Sequence, residues 1–171
     1  MASAKLIHSP IGPLTLVEEG GALMEVRFGE KLTGEMLCDT PVLLQAAREL
    51  EEYFRGSRRS FSVPLAPRGT PFQLRCWNAL RLIPYGETRT YSQQAEAIGQ
   101  PKASRAVGMG NHRNPLPIFI PCHRVVGKNG TLTGYAGGLE MKEYLLTLER
   151  MNRHDPAQDQ DCLHNGPCHG Q

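Results

Sequence analysis

Residues 118–126 constrain this chain more than any other part of its sequence. Three consecutive apolar residues lead into Pro121, the pair Cys122 and His123 follows, and an arginine and two valines close the stretch. Short apolar runs bounded by breakers are typical of buried strands. Because proline has no N–H group to contribute to a sheet, we expect the strand to end there. The sequence therefore predicts that the cysteine lies on a turn at the edge of a core.

A cysteine next to a histidine has two interpretations. Most cysteines are small core residues, and a lone Cys-His pair is weak evidence of chemistry. Cys76 fits the core interpretation, since it lies on the apolar face of a predicted helix. Cys122 differs from Cys76 because it follows Pro121, which ends the predicted strand, and because a histidine and an arginine come directly after it.

The charge of the chain is unevenly distributed. Residues 71–150 contain ten Lys and Arg against five Asp and Glu, whereas residues 1–70 contain eight against nine. The excess of basic residues therefore lies in the same segment as Cys122. A positively charged segment suits a polyanionic partner.

The sequence contains no apolar stretch of membrane-spanning length and no signal-peptide pattern. The five cysteines are an odd number, and three of them stand far apart before residue 151, which indicates a reducing compartment, so we expect a cytoplasmic protein.

The first part of the chain predicts strands followed by a helix. Residues 5–28 alternate between apolar and polar types around turn sequences, as in a β-hairpin or meander. Thr40 is a good cap for a helix that starts at Pro41 and ends near Phe54. Alternation at residues 61–65 predicts one more strand.

The second part predicts mainly helices. Thr70 and Gln73 form a capping box at the start of one helix. Two short helices, to residue 98 and over 102–110, are separated by a glycine turn and make a helix-turn-helix candidate. A last helix is predicted over 139–149, with Leu139 among its buried residues.

The second of the two short helices is rich in small residues. Few side chains protrude from this helix, apart from that of Arg105. Its small residues are Ala103, Ala106, Gly108 and Gly110. A helix of this kind suits close approach to a narrow groove, such as the minor groove of DNA.

These elements predict an α+β protein in two parts. Residues 1–66 form a small N-terminal α/β domain of strands plus one helix. Residues 67–150 form a mostly helical domain that carries the helix-turn-helix and the active-site cysteine. Residues 151–171 lack apolar periodicity and are predicted to be disordered.

The order of short motifs along residues 5–150 resembles that of the O6-alkylguanine-DNA alkyltransferases. That family has an α/β N-terminal domain and a helical domain with a DNA-binding helix-turn-helix. The resemblance implies direct repair of DNA, in which one alkyl group passes irreversibly from guanine O6 to the cysteine. The matching segments are residues 9–14, 83–88, 105–108, 114–118, 121–125, 134–138 and 142–143.

The resemblance assigns catalytic roles to five residues. Cys122 would be the nucleophile, activated by His123 through a bound water, and Glu149 would orient the imidazole. A free thiol has a pKa of about 8.5 and needs such activation at neutral pH. Asn114 would hold the cysteine turn by hydrogen bonds, and Tyr91 would protonate the departing guanine at N3.

The resemblance also implies that the helix-turn-helix enters the minor groove of duplex DNA and that the damaged base is rotated out of the stack. Arg105 would fill the vacated space. The predicted DNA-binding residues are Arg105, Ala103, Ala106, Tyr91 and Arg113. Pro117 and Tyr135 would wall the alkyl pocket, while the backbone at Val125 and Ala136 would read the guanine edges.

Several features depart from the family or fall outside it. Gln94 and Glu96 make the first short helix unusually polar, and Ala136 stands where some relatives carry serine. The N-terminal part has only His8 and Cys38 as soft ligands, so neither a zinc site nor any cofactor is expected, and we expect a monomer. The tail cluster of Cys162, His164, Cys168 and His169 favours disorder over a metal site, with a Cys162–Cys168 disulfide possible in air.

Three other functions compete with repair as interpretations of the sequence. A binding-only, alkyltransferase-like protein would flag damage without a reactive cysteine, and Cys122 is present. A cysteine hydrolase would need a separated Cys and His and an oxyanion hole, and it leaves Arg105 unexplained. A metal-binding module has support only from the tail.

Overall fold

A four-stranded sheet covered by one helix forms the first part of the chain in the computed structural model, which describes residues 1–153. The predicted meander of residues 5–28 is confirmed as three antiparallel strands. The predicted helix is confirmed too, and the Thr40 hydroxyl accepts a hydrogen bond from the Leu43 N–H group at 3.3 Å. The elements are β1 (Ser3–Ile7), β2 (Leu14–Glu19), β3 (Ala22–Phe28), β4 (Met36–Leu37) and α1 (Pro41–Phe54).

The predicted strand at residues 61–65 is wrong. Only Leu65 forms an isolated bridge, to Leu23. The buried carboxylate of Glu49 on α1 accepts hydrogen bonds from the backbone N–H groups of Ser62 and Val63, which are therefore not free for a strand partner. The short β4 was not predicted. It pairs parallel to β1 at the sheet edge, and both its residues are exposed, so no apolar alternation marks it.

Four α-helices, two 3₁₀ turns (one of them at Lys128–Gly130) and a two-stranded ribbon form the second part of the described chain. The capping box at Thr70 and Gln73 is confirmed, and a second one occurs at Thr90 and Gln93. Two short strands, β5 (Arg89–Thr90) and β6 (Val125–Val126), pair in parallel and place the start of α3 (Tyr91–Ala97) beside the cysteine turn. The elements are α2 (Pro71–Arg81), β5 (Arg89–Thr90), α3 (Tyr91–Ala97), α4 (Ser104–His112), a 3₁₀ turn (Cys122–Arg124), β6 (Val125–Val126) and α5 (Leu139–Met151).

The small residues of α4 contribute to core packing as well as to the exposed surface of the helix. Gly110 is buried, its carbonyl accepts a hydrogen bond from the Trp77 indole at 2.9 Å, and an added Cβ would lie 3.3 Å from the Cys76 sulfur. Gly110 therefore contributes to core packing, which the groove interpretation of this helix did not predict. Arg105 and Ala106 are exposed, as the groove interpretation requires.

The polar character of α3 has a structural reason. The side-chain amides of Gln94 and Asn111 exchange two hydrogen bonds, of 2.9 and 2.7 Å, between α3 and α4. Gln94 also donates to the carbonyl of Cys76 on α2 at 3.1 Å. A buried, fully paired amide network therefore fixes the three helices against one another. Glu96, by contrast, is exposed.

Two predictions about α5 are corrected. Leu139 was expected to be buried and is 48% exposed, because it lies in the first turn, beyond the core. The helix continues to Met151 instead of ending at Glu149. The tail cluster of Cys and His residues, and the disorder predicted for it, lie outside the described residues.

One hydrophobic core runs through both parts of the described chain. Phe61 and Phe119 pack with ring centroids 4.5 Å apart, and the Val26 N–H group donates to the Pro115 carbonyl at 2.8 Å. Of the helices in residues 1–153, none has the length and apolar character needed to cross a membrane. The same residues contain no group of three or more His, Cys, Asp or Glu side chains placed to hold a metal ion.

The amide network predicts a measurable cost for Gln94→Leu. That change leaves the buried Asn111 amide without its partner and removes one of the hydrogen bonds that the Cys76 carbonyl accepts, so it should lower the free energy of unfolding by about 1–3 kcal/mol. Urea unfolding measures it, with Glu96→Leu on the exposed face of α3 as the matched control. Adding Asn111→Leu should recover part of the loss. Equal stability of Gln94→Leu and wild type would contradict the network.

Candidate active site

Cys122 lies on a tight turn at the margin of the core. The apolar residues before it were predicted to form a strand, which is wrong: Ile118 has φ of +77°, and the chain there makes successive turns. The Cys122 N–H group donates to the Ile120 carbonyl at 2.8 Å, and the cysteine begins the 3₁₀ turn. Its residual exposure is 9%, so the prediction of a turn at the edge of the core is confirmed.

Asn114 fastens this turn from the inside. Its amide nitrogen donates to the Ile120 carbonyl at 2.8 Å, and its oxygen accepts from the Leu116 N–H group at 3.0 Å. A β-branched residue at positive φ, such as Ile118, costs about 1–3 kcal/mol. The two Asn114 bonds and complete burial of Ile118 offset that cost and hold the backbone before Cys122 in one conformation.

A buried carboxylate, Glu149 of α5, lies behind the cysteine turn. Its Oε2 atom is 2.6 Å from His123 Nε2, and both side chains are buried. Arg124 binds both carboxylate oxygens, Nε to Oε1 at 2.8 Å and Nη2 to Oε2 at 3.1 Å. The Gly86 N–H group donates to Oε1 at 3.1 Å, and the Tyr53 hydroxyl donates to Oε2 at 2.6 Å.

These contacts fix the protonation of the pair. Burial opposes ionisation of Glu149, but His123 and Arg124 together hold its pKa well below the usual range. Burial lowers the pKa of His123, an effect that Glu149 only partly offsets, so the imidazole is neutral at pH 7. A carboxylate can only accept, hence Nε2 carries the ring proton. The free lone pair is on Nδ1, which is buried and has no hydrogen-bond partner within residues 1–153.

The thiol of Cys122 needs a base. Burial raises its pKa, and Asn114 and Lys142 act in the opposite direction without reversing the shift. Lys142 is itself buried, and its ammonium donates to the carbonyls of Thr133 and Gly134 at 2.7 and 3.3 Å. Burial lowers the pKa of Lys142 to about 8. The thiol is therefore protonated at rest, with a nearby cation that favours its ionisation.

Tyr135 lies close to the thiol and contacts the first part of the chain. Its ring is buried and meets Phe28 of β3 edge-on, with centroids 5.8 Å apart. Burial, followed by the negative charge that Cys122 carries when it is ionised and by that of Glu149, raises the pKa of Tyr135 well above the usual value. A Cβ added at Gly137 would lie 3.0 Å from Phe28, so glycine is needed for the loop to approach the sheet this closely.

A second group of predicted residues lines an open groove on α4. Arg105 and Arg113 are exposed there, and the Tyr91 hydroxyl accepts a hydrogen bond from Thr133 at 3.0 Å. The backbone of α4 at Gly108 lies against the Tyr91 ring, where an added Cβ would be 3.6 Å away. The groove residues are Tyr91, Ser104, Arg105, Gly108, Met109, His112, Arg113 and Thr133.

The structure thus places the predicted residues in two groups. One is the buried group of Cys122, His123, Glu149 and Asn114, and the other is the exposed groove. The remaining predicted residues have these positions: Pro117 and Val125 buried on either side of the cysteine turn, Ala136 exposed in the loop before α5, Ala106 exposed on α4, and Ala103 half-buried at its start.

Three further buried residues around this group were not predicted from the sequence. Arg124 adjoins His123, so its place in the motif could have indicated its role. Lys142 is a lysine on the buried side of α5, a pattern that signals a paired charge. Tyr53 carries no such signal, because a fully buried tyrosine on α1 cannot be told from an ordinary core residue in the sequence.

Comparison with known proteins gives a consistent result. Residues 4–67 match the family described as 6-O-methylguanine DNA methyltransferase, ribonuclease-like domain, and residues 71–151 match the DNA binding domain of the same family. A methylated-DNA–protein-cysteine methyltransferase of Methanosarcina acetivorans is 51% identical over 152 residues, or 84% of this chain and 96% of the relative. The constitutive Bacillus subtilis protein of that name is 48% identical over 154 residues, or 85% and 93%.

Solved structures agree with the sequence relatives. The crystal structure of Mycobacterium tuberculosis OGT in complex with DNA has a TM-score of 0.82 and 46% identity, and it covers 88% of this chain and 94% of its own. The Mycobacterium tuberculosis O6-methylguanine methyltransferase structure has the same TM-score at 44% identity, with 92% and 98% covered. The α+β arrangement, a small sheet domain followed by a helical DNA-binding domain, is therefore shared with these proteins.

Proposed function

Since the chain belongs to the 6-O-methylguanine DNA methyltransferase family, we propose that it repairs DNA by transferring an alkyl group from guanine O6 to Cys122. The observation that carries this proposal is the buried, protonated thiol beside a neutral His123 whose Nδ1 lone pair is unused. Such a site can generate a thiolate, the strongest nucleophile among side chains, only when a proton moves to the imidazole.

The reaction balances as a displacement. The Cys122 proton passes to His123 Nδ1, directly or through a water, and Glu149 stabilises the resulting imidazolium through Nε2. The thiolate attacks the alkyl carbon, an S–C bond forms, and the C–O6 bond breaks with its electrons going to the guanine. Tyr91, which lines the open groove, would supply the proton at guanine N3.

The product explains why the protein acts once. A thioether has no S–H proton and no charge, so the His123–Glu149 pair cannot reverse the transfer. The protein is then a stoichiometric reagent, classed as a methylated-DNA–protein-cysteine methyltransferase, and each chain repairs one base. No cofactor takes part in this scheme.

DNA is the partner, and we propose that α4 enters its minor groove. Ala103 and Ala106 allow close approach, Arg105 replaces the rotated base, and Arg113 contacts the backbone. Pro117 and Tyr135 would enclose the alkyl group, while Val125 and Ala136 would bind guanine edges through their backbone. The basic excess of residues 71–150 supports this placement.

The two parts of the chain are proposed to divide this work. Residues 67–150 would bind DNA and carry the reacting group, and residues 1–66 would support the site from behind. The family matches at 4–67 and 71–151 support this division. We expect the protein to act as a monomer in the cytoplasm.

Incubation with duplex DNA containing O6-methylguanine should add one methyl group per chain. Intact-mass spectrometry should show a single methylene-sized increase that maps to Cys122. Cys122→Ala should bind the duplex and gain no mass, while Cys38→Ser, which alters an exposed cysteine, should label fully. Multiple turnovers or a label on Cys76 would contradict the mechanism, and binding without any label would favour a damage-recognition protein.

Arg105→Ala should impair repair of duplex DNA far more than reaction with a free O6-alkylguanine base. Rotating a base from the duplex costs a few kcal/mol, and Arg105 offsets part of that cost, so the duplex rate should fall about ten- to a hundredfold. The free base needs no rotation and should react at nearly the wild-type rate. Arg81→Ala, an exposed arginine outside the groove, is the control. Equal losses on both substrates would mean that Arg105 supports the fold or the pocket.

A further inference from the structure

The hydroxyl of Tyr53 binds the same carboxylate oxygen as the His123 ring. Tyr53 Oη and His123 Nε2 each lie 2.6 Å from Glu149 Oε2. Tyr53 belongs to α1 and is 96 residues distant from Glu149 in the sequence. A side chain of the N-terminal part therefore reaches the acid that holds the imidazole.

The Tyr53 hydroxyl stays protonated around neutral pH and is therefore a hydrogen-bond donor. Burial, and then the negative charge of Glu149, raise the pKa of Tyr53 well above its usual value. The hydroxyl therefore keeps its proton, and the ionised carboxylate can only accept it. A hydrogen bond to a charged group is worth more than one between neutral groups.

We propose that Tyr53 is a positioning residue for alkyl transfer, acting through Glu149 to set the orientation and proton affinity of His123. This inference rests on the function proposed above. It gives the N-terminal part of the chain a direct connection to the acid–base pair of the site.

The direction of the effect follows from the charge on Oε2. The Tyr53 proton withdraws negative charge from that atom, which weakens its attraction for the positive form of His123. Without the hydroxyl, the carboxylate should stabilise the imidazolium more strongly, and His123 should protonate at a higher pH. A protonated Nδ1 cannot accept the thiol proton, so transfer should fail at a higher pH too. The other titratable or charged groups that face this pair are Arg124, Tyr85, Lys142, Tyr135 and Cys122.

Tyr85 offers a matched comparison. Its ring belongs to the same aromatic cluster, with its centroid 6.2 Å from that of Tyr53. Its buried hydroxyl has no hydrogen-bond partner within residues 1–153. Replacing either tyrosine by phenylalanine keeps the ring and removes one oxygen, but only Tyr53→Phe removes a hydrogen bond to Glu149.

The experiment compares full-length wild type, Tyr53→Phe and Tyr85→Phe. The single-turnover rate on duplex DNA with O6-methylguanine is measured against pH, and His123 is titrated by NMR in the unbound proteins. For Tyr53→Phe, the acid limb of the rate profile and the His123 titration should both move to higher pH by about half to one unit. Duplex affinity should not change, and Tyr85→Phe should follow the wild-type curves.

Two results would overturn the inference. Unchanged pH profiles in Tyr53→Phe would show that the hydroxyl does not act on His123. A lower melting temperature without any shift in pH would assign Tyr53 a purely structural role. If wild type transfers no methyl group, the proposed function fails, and the His123 titration still decides the role of Tyr53. Folding of Tyr53→Phe is expected, because the ring and the bonds of Glu149 to Arg124 and Gly86 remain.

Discussion

The buried carboxylate of Glu149 is the interaction on which the rest of the site depends. It accepts hydrogen bonds from His123, Arg124, Tyr53 and Gly86, which belong to the cysteine turn, α1 and the loop after α2. An unpaired buried carboxylate costs several kcal/mol, and a full set of hydrogen-bond donors in good geometry offsets that cost. Because those donors come from separate parts of the chain, satisfying one charge fixes the relative positions of the elements that surround the cysteine.

Burial also sets the resting state of the proposed chemistry. Cys122 is protonated because burial raises its pKa, and His123 is neutral because burial lowers its pKa. Glu149 is charged because His123 and Arg124 lower its pKa in spite of burial. A thiol in this state is slow to react with general electrophiles and oxidants, since the thiolate is the reactive form. A protein that uses its cysteine once benefits from such protection. The nearby Lys142 lowers the cost of forming the thiolate when substrate is bound.

The structural features that could be predicted from the sequence are those that depend on residues close together in the chain. Caps at Thr40 and Thr70 and the cysteine turn at Pro121 were predictable, because their partners lie within a few positions. The site residues followed from family motifs, and four of them meet in the structure. Contacts over long separations were not predictable: Glu49 occupies the N–H groups of a predicted strand, Gln94 pairs with Asn111, and Tyr53 reaches Glu149. Nothing local marks these residues as partners.

The proposed chemistry depends most on Glu149, which holds His123 as a neutral imidazole with its proton on Nε2 and its lone pair on Nδ1. Nitrogen-15 NMR of the histidine ring in the unbound protein at pH 7 tests this most directly. Wild type should show a protonated Nε2 and an unprotonated Nδ1. A proton on Nδ1, or on both ring nitrogens, would contradict it, because the ring could then not accept the Cys122 proton.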